Sequence, residues 1–193
     1  MAELRSFAFR YCTSLESISL PSTLETIGLS AFEECVNLKT IVIPESLTEI
    51  KSYAFQNCTA LQAVQLPETD ITIGDYNFDT CENVTIYGTS GTSAETYAAE
   101  KAIPFVDLSA VTAGNLNGDE AVNASDAASV LIAAAAVGAG SDSGLLPVQK
   151  ASADLNGDGA FNASDAAVIL QYAAYVGSGN TGTIEEFLDN SAE

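Results

Sequence analysis

The 193-residue sequence has no histidine and no tryptophan, and only 6 residues are lysine or arginine, against 26 aspartates and glutamates. Its formal charge of −20 repels phosphate backbones and anionic lipid, so we expect no binding of nucleic acid or of a membrane surface. The lack of histidine removes the usual general base, the serine–histidine triad and most zinc sites. No apolar run approaches the roughly 20 residues that span a bilayer, which predicts no membrane insertion.

The sequence nevertheless has the composition of a folded protein, because 47% of its residues are apolar, too many for a disordered chain. Its length suits one or two domains with proper cores. No basic segment followed by an apolar one opens the chain, so we expect any export signal to lie upstream of residue 1.

The first half of the chain repeats itself every 23 residues. Alanine–phenylalanine pairs begin at Ala8, Ala31 and Ala54, and Asn77-Phe78 continues the row. A 23-residue unit cannot bury its apolar face alone, so the units must stack as a solenoid. The same spacing relates cysteines, leucines, prolines and isoleucines, as in Cys12, Cys35, Cys58, Cys81, Leu15, Leu38, Leu61, Pro21, Pro44, Pro67, Ile27, Ile50 and Ile73.

Each unit contains a short alternating stretch that predicts one strand. In the second unit Ile41 and Ile43 should point inward, and Pro44 should end the strand. The outward positions are small and mostly uncharged, and they could contact a partner or belong to a simple spacer. These positions are Ser17, Ser19, Thr40, Val42, Ala63 and Gln65.

The repeat resembles the bacterial BspA-type leucine-rich repeat over roughly residues 4–108. The resemblance implies a right-handed solenoid over 1–108 that is closed by a C-terminal cap, with a helix at about 93–101 and then a terminal strand. Ser93 is the expected N-cap of this helix. No matching cap precedes Leu4, which indicates a longer parent protein.

The four cysteines recur at the repeat spacing rather than in a pairwise motif. Rungs of a solenoid lie about 5 Å apart, but equivalent Cβ vectors run parallel, which is poor geometry for a disulfide. We therefore expect a buried ladder of free thiols and no zinc site.

From Asp107 onward the composition changes, and two segments align at an offset of 39 residues. Residues 115–140 and 154–179 are identical at 17 of 26 positions. Each copy places oxygen-bearing side chains at positions 1, 3, 5, 9 and 12 of a twelve-residue loop, with a backbone carbonyl at position 7, a spacing that can wrap one calcium ion. The alternative is an Asn-Gly-Asp turn followed by a helix N-cap. The candidate ligands are Asn115, Asn117, Asp119, Ala121, Asn123 and Asp126, then Asp154, Asn156, Asp158, Ala160, Asn162 and Asp165.

The two loops should bind calcium unequally. The second has three carboxylates and a glycine, Gly159, at position 6, where the backbone turns sharply. The first has two carboxylates, Asn115 at position 1 and Glu120 at position 6, where a non-glycine residue costs on the order of 1 kcal/mol. We predict two Ca²⁺ sites, of which the second is tighter.

Calcium loops that close on aspartate and are followed by a helix resemble the dockerin modules of cellulosomes. The resemblance covers about 110–180 and implies a small all-α module over 109–193, with helices at about 124–137 and 163–176 and a short one near 147–153. An EF-hand pair would instead need a helix entering Asn115. The fold class is thus α+β multidomain, a leucine-rich-repeat solenoid followed by two loop–helix units.

Dockerins bind cohesin modules of a scaffoldin through loop positions 10–11 and the outer face of the following helix. The two halves differ here at Ile132 against Gln171 and at Ala136 against Tyr175, so we expect one face to be preferred over the other. The corresponding positions in this sequence are Ala124, Ser125, Ile132, Ala136, Ala163, Ser164, Gln171 and Tyr175.

The expected protein is a secreted, non-catalytic component of a cell-surface or cellulosome complex, whose repeat domain has an unknown ligand or acts as a spacer. A calcium-binding adhesin without a cohesin partner is the first alternative. A glycoside hydrolase is the second, because carboxylate pairs such as Glu33-Glu34 or Asp75 with Asp79 could hydrolyse sugars. In the tail, Ile184, Phe187 and Leu188 have helical spacing, which favours packing on the calcium module. The alternative is that the tail is a separate binding peptide.

Overall fold

The computed structural model describes residues 2–119 and 121–191, which form two compact units, Met1–Asp107 and Leu108–Glu193. The first unit is built from short parallel strands and one helix. Its elements are β1 (Ala2–Leu4), β2 (Leu24–Ile27), β3 (Thr40–Val42), β4 (Glu49–Ile50), β5 (Ala63–Gln65), β6 (Thr72–Ile73), β7 (Thr85–Gly88), α1 (Ser93–Lys101) and β8 (Phe105–Asp107).

The strands form two parallel sheets, in the orders β1-β2-β4-β6 and β3-β5-β7-β8. Residues one repeat apart pair across neighbouring rungs, as Thr26 pairs with Glu49 and Thr40 with Ala63. The alternating stretch predicted only the second sheet. The first sheet arises from the short segment of each unit that ends on Leu4, Ile27, Ile50 or Ile73, which is too short to show an alternating pattern.

The interior of the solenoid is a column of equivalent side chains. Ile41 and Ile43 are buried, as predicted. Phe32 and Phe55 stack with ring centroids 5.2 Å apart, and Phe55 and Phe78 repeat that distance. A stack of this kind is possible because parallel rungs place the same side chain in register at each step.

Three of the expected outward positions differ from the prediction. Ala63 is only 4% exposed, because its short side chain lies between Thr40 and Thr85 on the neighbouring strands. Ser17 and Ser19 are exposed but belong to no strand.

The cap helix α1 begins at Ser93 as predicted, but its N-cap is Thr92 rather than Ser93. The Thr92 hydroxyl accepts a hydrogen bond from the amide of Ala94 at 3.3 Å. The Ser93 hydroxyl is used elsewhere, since it accepts the N–H of Ile71 on the last rung at 2.9 Å. The cap is thereby tied to the solenoid.

The cysteines form the expected ladder of free thiols. Cys12 is partly exposed and the other three are buried. The three buried sulfurs each donate to a carbonyl of the preceding rung, as Cys35 does to Phe9 at 3.1 Å and Cys58 to Phe32 at 3.2 Å. Burial raises the pKa of the Cys35 thiol to about 11 and that of Cys81 to about 12. These buried thiols are therefore neutral packing groups with little nucleophilic character.

The second unit is helical, and the pair α2 and α4 forms its centre. Before the first loop the structure describes only a 3₁₀ turn, Leu108–Ala110, rather than the entering α-helix of an EF-hand. Within the described residues no helix is long and apolar enough to cross a membrane. The helices are α2 (Ala124–Gly138), α3 (Pro147–Ala153), α4 (Ala163–Gly177) and α5 (Ile184–Ser191), and the core is Leu116, Ala127, Val130, Ala133, Leu145, Ala153, Ala166 and Ile169.

Candidate calcium loops and docking faces

Each candidate loop runs directly into a helix that it caps. Asn123 accepts the N–H of Ser125 at 2.7 Å, and Asn162 accepts that of Ser164 at 2.8 Å. The carboxylate of the aspartate three residues later accepts the backbone N–H of the N-cap asparagine, so α2 and α4 both begin with a capping box. Position 9 of each loop therefore orients the helix that follows it.

The aspartates at position 12, Asp126 and Asp165, are 0% exposed. One oxygen of Asp126 accepts the amides of Leu116 and Asn117, at 2.9 and 3.4 Å, and the other accepts that of Asn123 at 3.0 Å. Asp165 makes the same three bonds in the second loop, at 3.1, 3.3 and 2.8 Å. These carboxylates join the beginning of each loop to the first turn of its helix.

In the second loop, positions 1, 3 and 5 turn their oxygens toward the same stretch of backbone. Asp154 and Asn156 both accept the amide N–H of Asp158, at 3.2 and 2.9 Å. The second oxygen of Asp154 accepts the N–H of Gly159 at 2.9 Å, and Gly159 has a positive φ of 86°. Glycine at position 6 thus lets the chain fold back over the first ligand.

The first loop closes in a different way because position 1 is an amide. Asn115 accepts the N–H of Gly118 at 2.9 Å, but its own NH₂ donates to the backbone carbonyl of Asp119 at 2.7 Å. A donor group therefore stands where the second loop has a carboxylate oxygen. Glu120 at position 6 lies outside the described residues.

The donor chemistry of both loops fits calcium, since the candidate ligands are carboxylate, amide and backbone carbonyl oxygens. Within the residues that the structure describes, no three His, Cys, Asp or Glu side chains converge as a metal cluster. Many of the candidate ligands are asparagine side chains or backbone carbonyls rather than carboxylates. The carboxylates of Asp126 and Asp165 also accept hydrogen bonds from backbone amides. One oxygen of each aspartate accepts two amides, but the other accepts a single amide and so keeps a lone pair that a cation could take.

The expected docking positions are mostly open to solvent. Ala124, Ser125, Ala163, Ser164 and Gln171 are exposed. Ile132 is 71% exposed, whereas Ala136 and Tyr175 are half-buried.

Two leucines that the sequence interpretation did not single out belong to the same faces. Leu131 on α2 is 43% exposed and Leu170 on α4 is 46% exposed, although both are large apolar side chains. They occupy equivalent positions at the 39-residue offset. The sequence offered one signal for these leucines. The same residue occurs in both copies at a position that does not fit the core pattern of its helix.

The tail packs on the module, as its helical spacing predicted. Ile184 is 3% exposed, and the Phe187 ring lies 5.7 Å from the Tyr172 ring and 5.4 Å from the Tyr175 ring. The Tyr172 hydroxyl donates to the carbonyl of Gly182 at 2.8 Å, and the Tyr175 hydroxyl to that of Thr181 at 3.2 Å. Tyr175 is therefore half-buried by the tail of its own chain.

The acidic pairs considered for hydrolysis have other contacts in the repeat unit. Glu33 is bound by Arg10 at 2.8 Å, and Asp79 pairs with Lys101 at 3.1 Å. One carboxylate of each candidate pair is therefore engaged by a basic side chain.

Comparison with known proteins agrees with both halves. A family model described as the BspA type leucine rich repeat region matches residues 2–101 in 6 copies, and one described as the dockerin type I domain matches 113–173. No curated protein matches the chain.

Two solved structures are similar to part of this chain. One is a T. pallidum leucine-rich repeat protein, at 32% identity and a TM-score of 0.43, covering 46% of this chain and 45% of that one. The other is a Bacteroides ovatus leucine-rich repeat protein, at 25% identity and a TM-score of 0.47, covering 55% of this chain and 28% of that one. This chain thus spans less than half of either protein. By the family match over more than half of its length, the chain belongs to the BspA-type leucine-rich repeat proteins and carries a dockerin type I domain after its repeats.

Proposed function

We propose that this chain is a non-catalytic, secreted component that docks onto a scaffold protein by binding a cohesin with its dockerin domain in the presence of calcium. The observation that carries the proposal is the coincidence of the dockerin type I match over 113–173 with two loop–helix units whose outer faces are exposed. The repeat domain (1–108) is displayed by the docked module (109–193) as a recognition surface or spacer. This arrangement would attach the protein to a cellulosome-type assembly for polysaccharide degradation.

Calcium acts here by ordering the loops. Its binding to Asp154, Asn156 and Asp158 would oppose the repulsion among carboxylates at the start of the second loop. Because each loop caps a helix that carries docking positions, ordering the loop also fixes those positions. Metal affinity then becomes folding free energy of the docking module.

The two sites contribute unequally in this proposal. Loop 115–126 has two carboxylates at ligand positions and an amide donor at position 1, whereas loop 154–165 has three carboxylates at ligand positions and a glycine turn. The second site binds first and more tightly, and the first fills at higher calcium concentration.

The proposal is tested by capture of the full chain on immobilised type I cohesin modules, in calcium and in chelator. Capture by at least one cohesin in calcium, and none in chelator, is the expected result. A double variant, Ala124→Asp with Ala163→Asp, should lose capture because it adds charge at position 10 of both faces. The matched double variant Glu45→Gln with Glu68→Gln, in the repeat domain, should bind as the wild type does. Equal capture with and without calcium, or none by any cohesin, would contradict the proposal.

A further inference from the structure

We propose that helix α5 directs cohesin docking to the α2 face by covering one flank of the α4 face. This inference rests on the proposed function and adds to it which of two duplicated faces is used. It starts from the duplication, which gives the module two surfaces of similar composition.

The two outer faces are closely matched at their N-terminal ends. The exposed residues Ala124, Ser125 and Leu131 of the first copy recur as Ala163, Ser164 and Leu170 in the second. A partner that read only these positions would find the same surface twice. The choice between the faces must therefore come from elsewhere in the module.

Besides Ile132 against Gln171, the two faces differ toward the C-terminal ends of the helices. Tyr172 and Tyr175 on α4 occupy the positions of Ala133 and Ala136 on α2. Both tyrosine rings pack against Phe187 of α5, and both hydroxyls donate to tail carbonyls. Two alanines cannot make these contacts, so the tail belongs to the α4 side only.

The chain also continues along α4 from this flank. The Asn180 side chain donates to the carbonyl of Tyr175 at 3.0 Å, and the Tyr175 hydroxyl contacts the next residue, Thr181. A partner approaching Gln171 and Tyr175 would meet this segment before it reached the helix. Displacing the segment would cost its hydrogen bonds and the aromatic contacts.

The charge of the flanking helices differs in the same sense. At the 39-residue offset, α3 and α5 are equivalent, since Leu145 and Ile184 are both buried at corresponding positions. α3 has one basic residue, Lys150, and no acid, whereas α5 has three acids, Glu185, Glu186 and Asp189. A partner docked on α4 would have to desolvate part of this acidic flank, which carries a cost that docking on α2 avoids.

The experiment compares Leu131→Asp with Leu170→Asp in the full chain, by calorimetric titration with a type I cohesin that captures the wild type. The two substitutions are matched because they change the same residue at equivalent, similarly exposed positions. We expect Leu131→Asp to weaken binding by at least about tenfold. Leu170→Asp should change it less than about twofold.

Release of the tail supplies the second part of the test. Phe187→Ala removes the ring from Tyr172 and Tyr175 without adding charge to α5, and should open the α4 flank. A chain with both Phe187→Ala and Leu131→Asp should bind to within about threefold of the chain with Phe187→Ala alone, because docking can move to α4. Circular dichroism in calcium confirms that the helices persist, and Phe187→Gln replaces Phe187→Ala if they do not.

Each other outcome overturns the inference in a recognisable way. Equal loss in both single variants shows that the partner reads the two faces together. Small losses in the single variants with loss of binding in the double variant show that either face serves. An effect of Leu131→Asp that Phe187→Ala does not relieve shows that the tail does not select the docking face. If no cohesin binds the wild type in calcium, the proposed function itself fails.

Discussion

The two units differ in the kind of side chain that they bury completely. In the repeat unit these side chains include three stacked phenylalanines and two of the four cysteines, whereas in the dockerin domain they include two aspartates. The repeat unit buries a long column of apolar side chains, and the side chains of each rung pack on those of the rung before it. The dockerin domain has a small core and fixes its loops through hydrogen bonds to Asp126 and Asp165. Apolar stacking needs no cofactor, but loops rich in carboxylates repel themselves until a cation is present. The comparison predicts that the two units respond to different perturbations.

The largest effect is expected from the phenylalanine column. Phe55→Ala removes a ring that stacks on both Phe32 and Phe78, and it should lower the free energy of unfolding of the repeat unit by about 3–5 kcal/mol. Thermal unfolding followed by circular dichroism measures this.

The end of the same column provides the control. Phe9 stacks on Phe32 alone and is half-buried, so Phe9→Ala should cost clearly less. Calcium titration of the Phe55→Ala chain should give wild-type affinities. Equal costs for Phe55 and Phe9, or altered calcium binding, would show that the column is not an independent source of stability.

The next effect concerns the buried aspartate of the second loop. Asp165→Ala deletes three hydrogen bonds to amides as well as a candidate ligand, and should destabilise the dockerin domain by about 2–4 kcal/mol. Asp165→Asn keeps an acceptor and loses the charge.

These two variants separate capping from metal binding. In calcium, Asp165→Asn should bind the ion at least about tenfold more weakly while α4 remains helical in far-ultraviolet circular dichroism. If Asp165→Asn binds calcium as the wild type does, Asp165 serves the helix alone and is not a ligand.

A smaller effect should distinguish the two loops. Asn115→Asp replaces the amide that donates to Asp119 with a third carboxylate, and it should tighten the first site by about tenfold, or 1.4 kcal/mol. Asp154→Asn is the reciprocal change and should weaken the second site by a similar factor. Calorimetry that finds two equal sites in the wild-type chain would remove the basis of this prediction.

The smallest effect is expected at alkaline pH and only in the repeat unit. The pKa values of Cys35 and Cys81 are raised from 9.0 to about 11 and about 12, chiefly by burial. Thiols of the unfolded chain ionise near pH 9, while those of the folded chain stay protonated. The contribution of the buried thiols to the free energy of unfolding is therefore complete below pH 9 and is lost as the pH rises toward 11. The loss at pH 9 is about 0.4 kcal/mol per thiol.

Melting curves of the repeat unit at pH 7, 9 and 10 should show this decline, and Cys58→Ala should reduce its slope. The dockerin domain has no cysteine and supplies an internal reference. A repeat unit whose stability rises or stays constant over this range would contradict the thiol argument.

Much of this molecule could be predicted from its sequence because both halves are duplications. The 23-residue period locates the inward isoleucines and the thiol ladder, and the 39-residue offset locates both capped helices. Repetition makes the prediction easier because the same residue type recurs at each position that has the same local structure.

What the sequence did not predict depends on contacts between separate segments. Ser93 was predicted as an N-cap from local preference, but its hydroxyl accepts the Ile71 amide and Thr92 takes the role. Tyr175 was assigned to a docking face by its position, yet its ring packs on Phe187. For the exposed Leu131 and Leu170, the sequence offered only the indirect signal of an identical leucine outside the core pattern in both copies.

The most direct test of the contrast between the two units is hydrogen exchange of the full chain, measured by mass spectrometry in calcium and in chelator. We predict that peptides covering α2 and α4 lose protection when calcium is removed, while peptides from β2 to β7 keep theirs. Protection of α2 and α4 that is the same in both conditions would contradict the claim that calcium orders the docking domain.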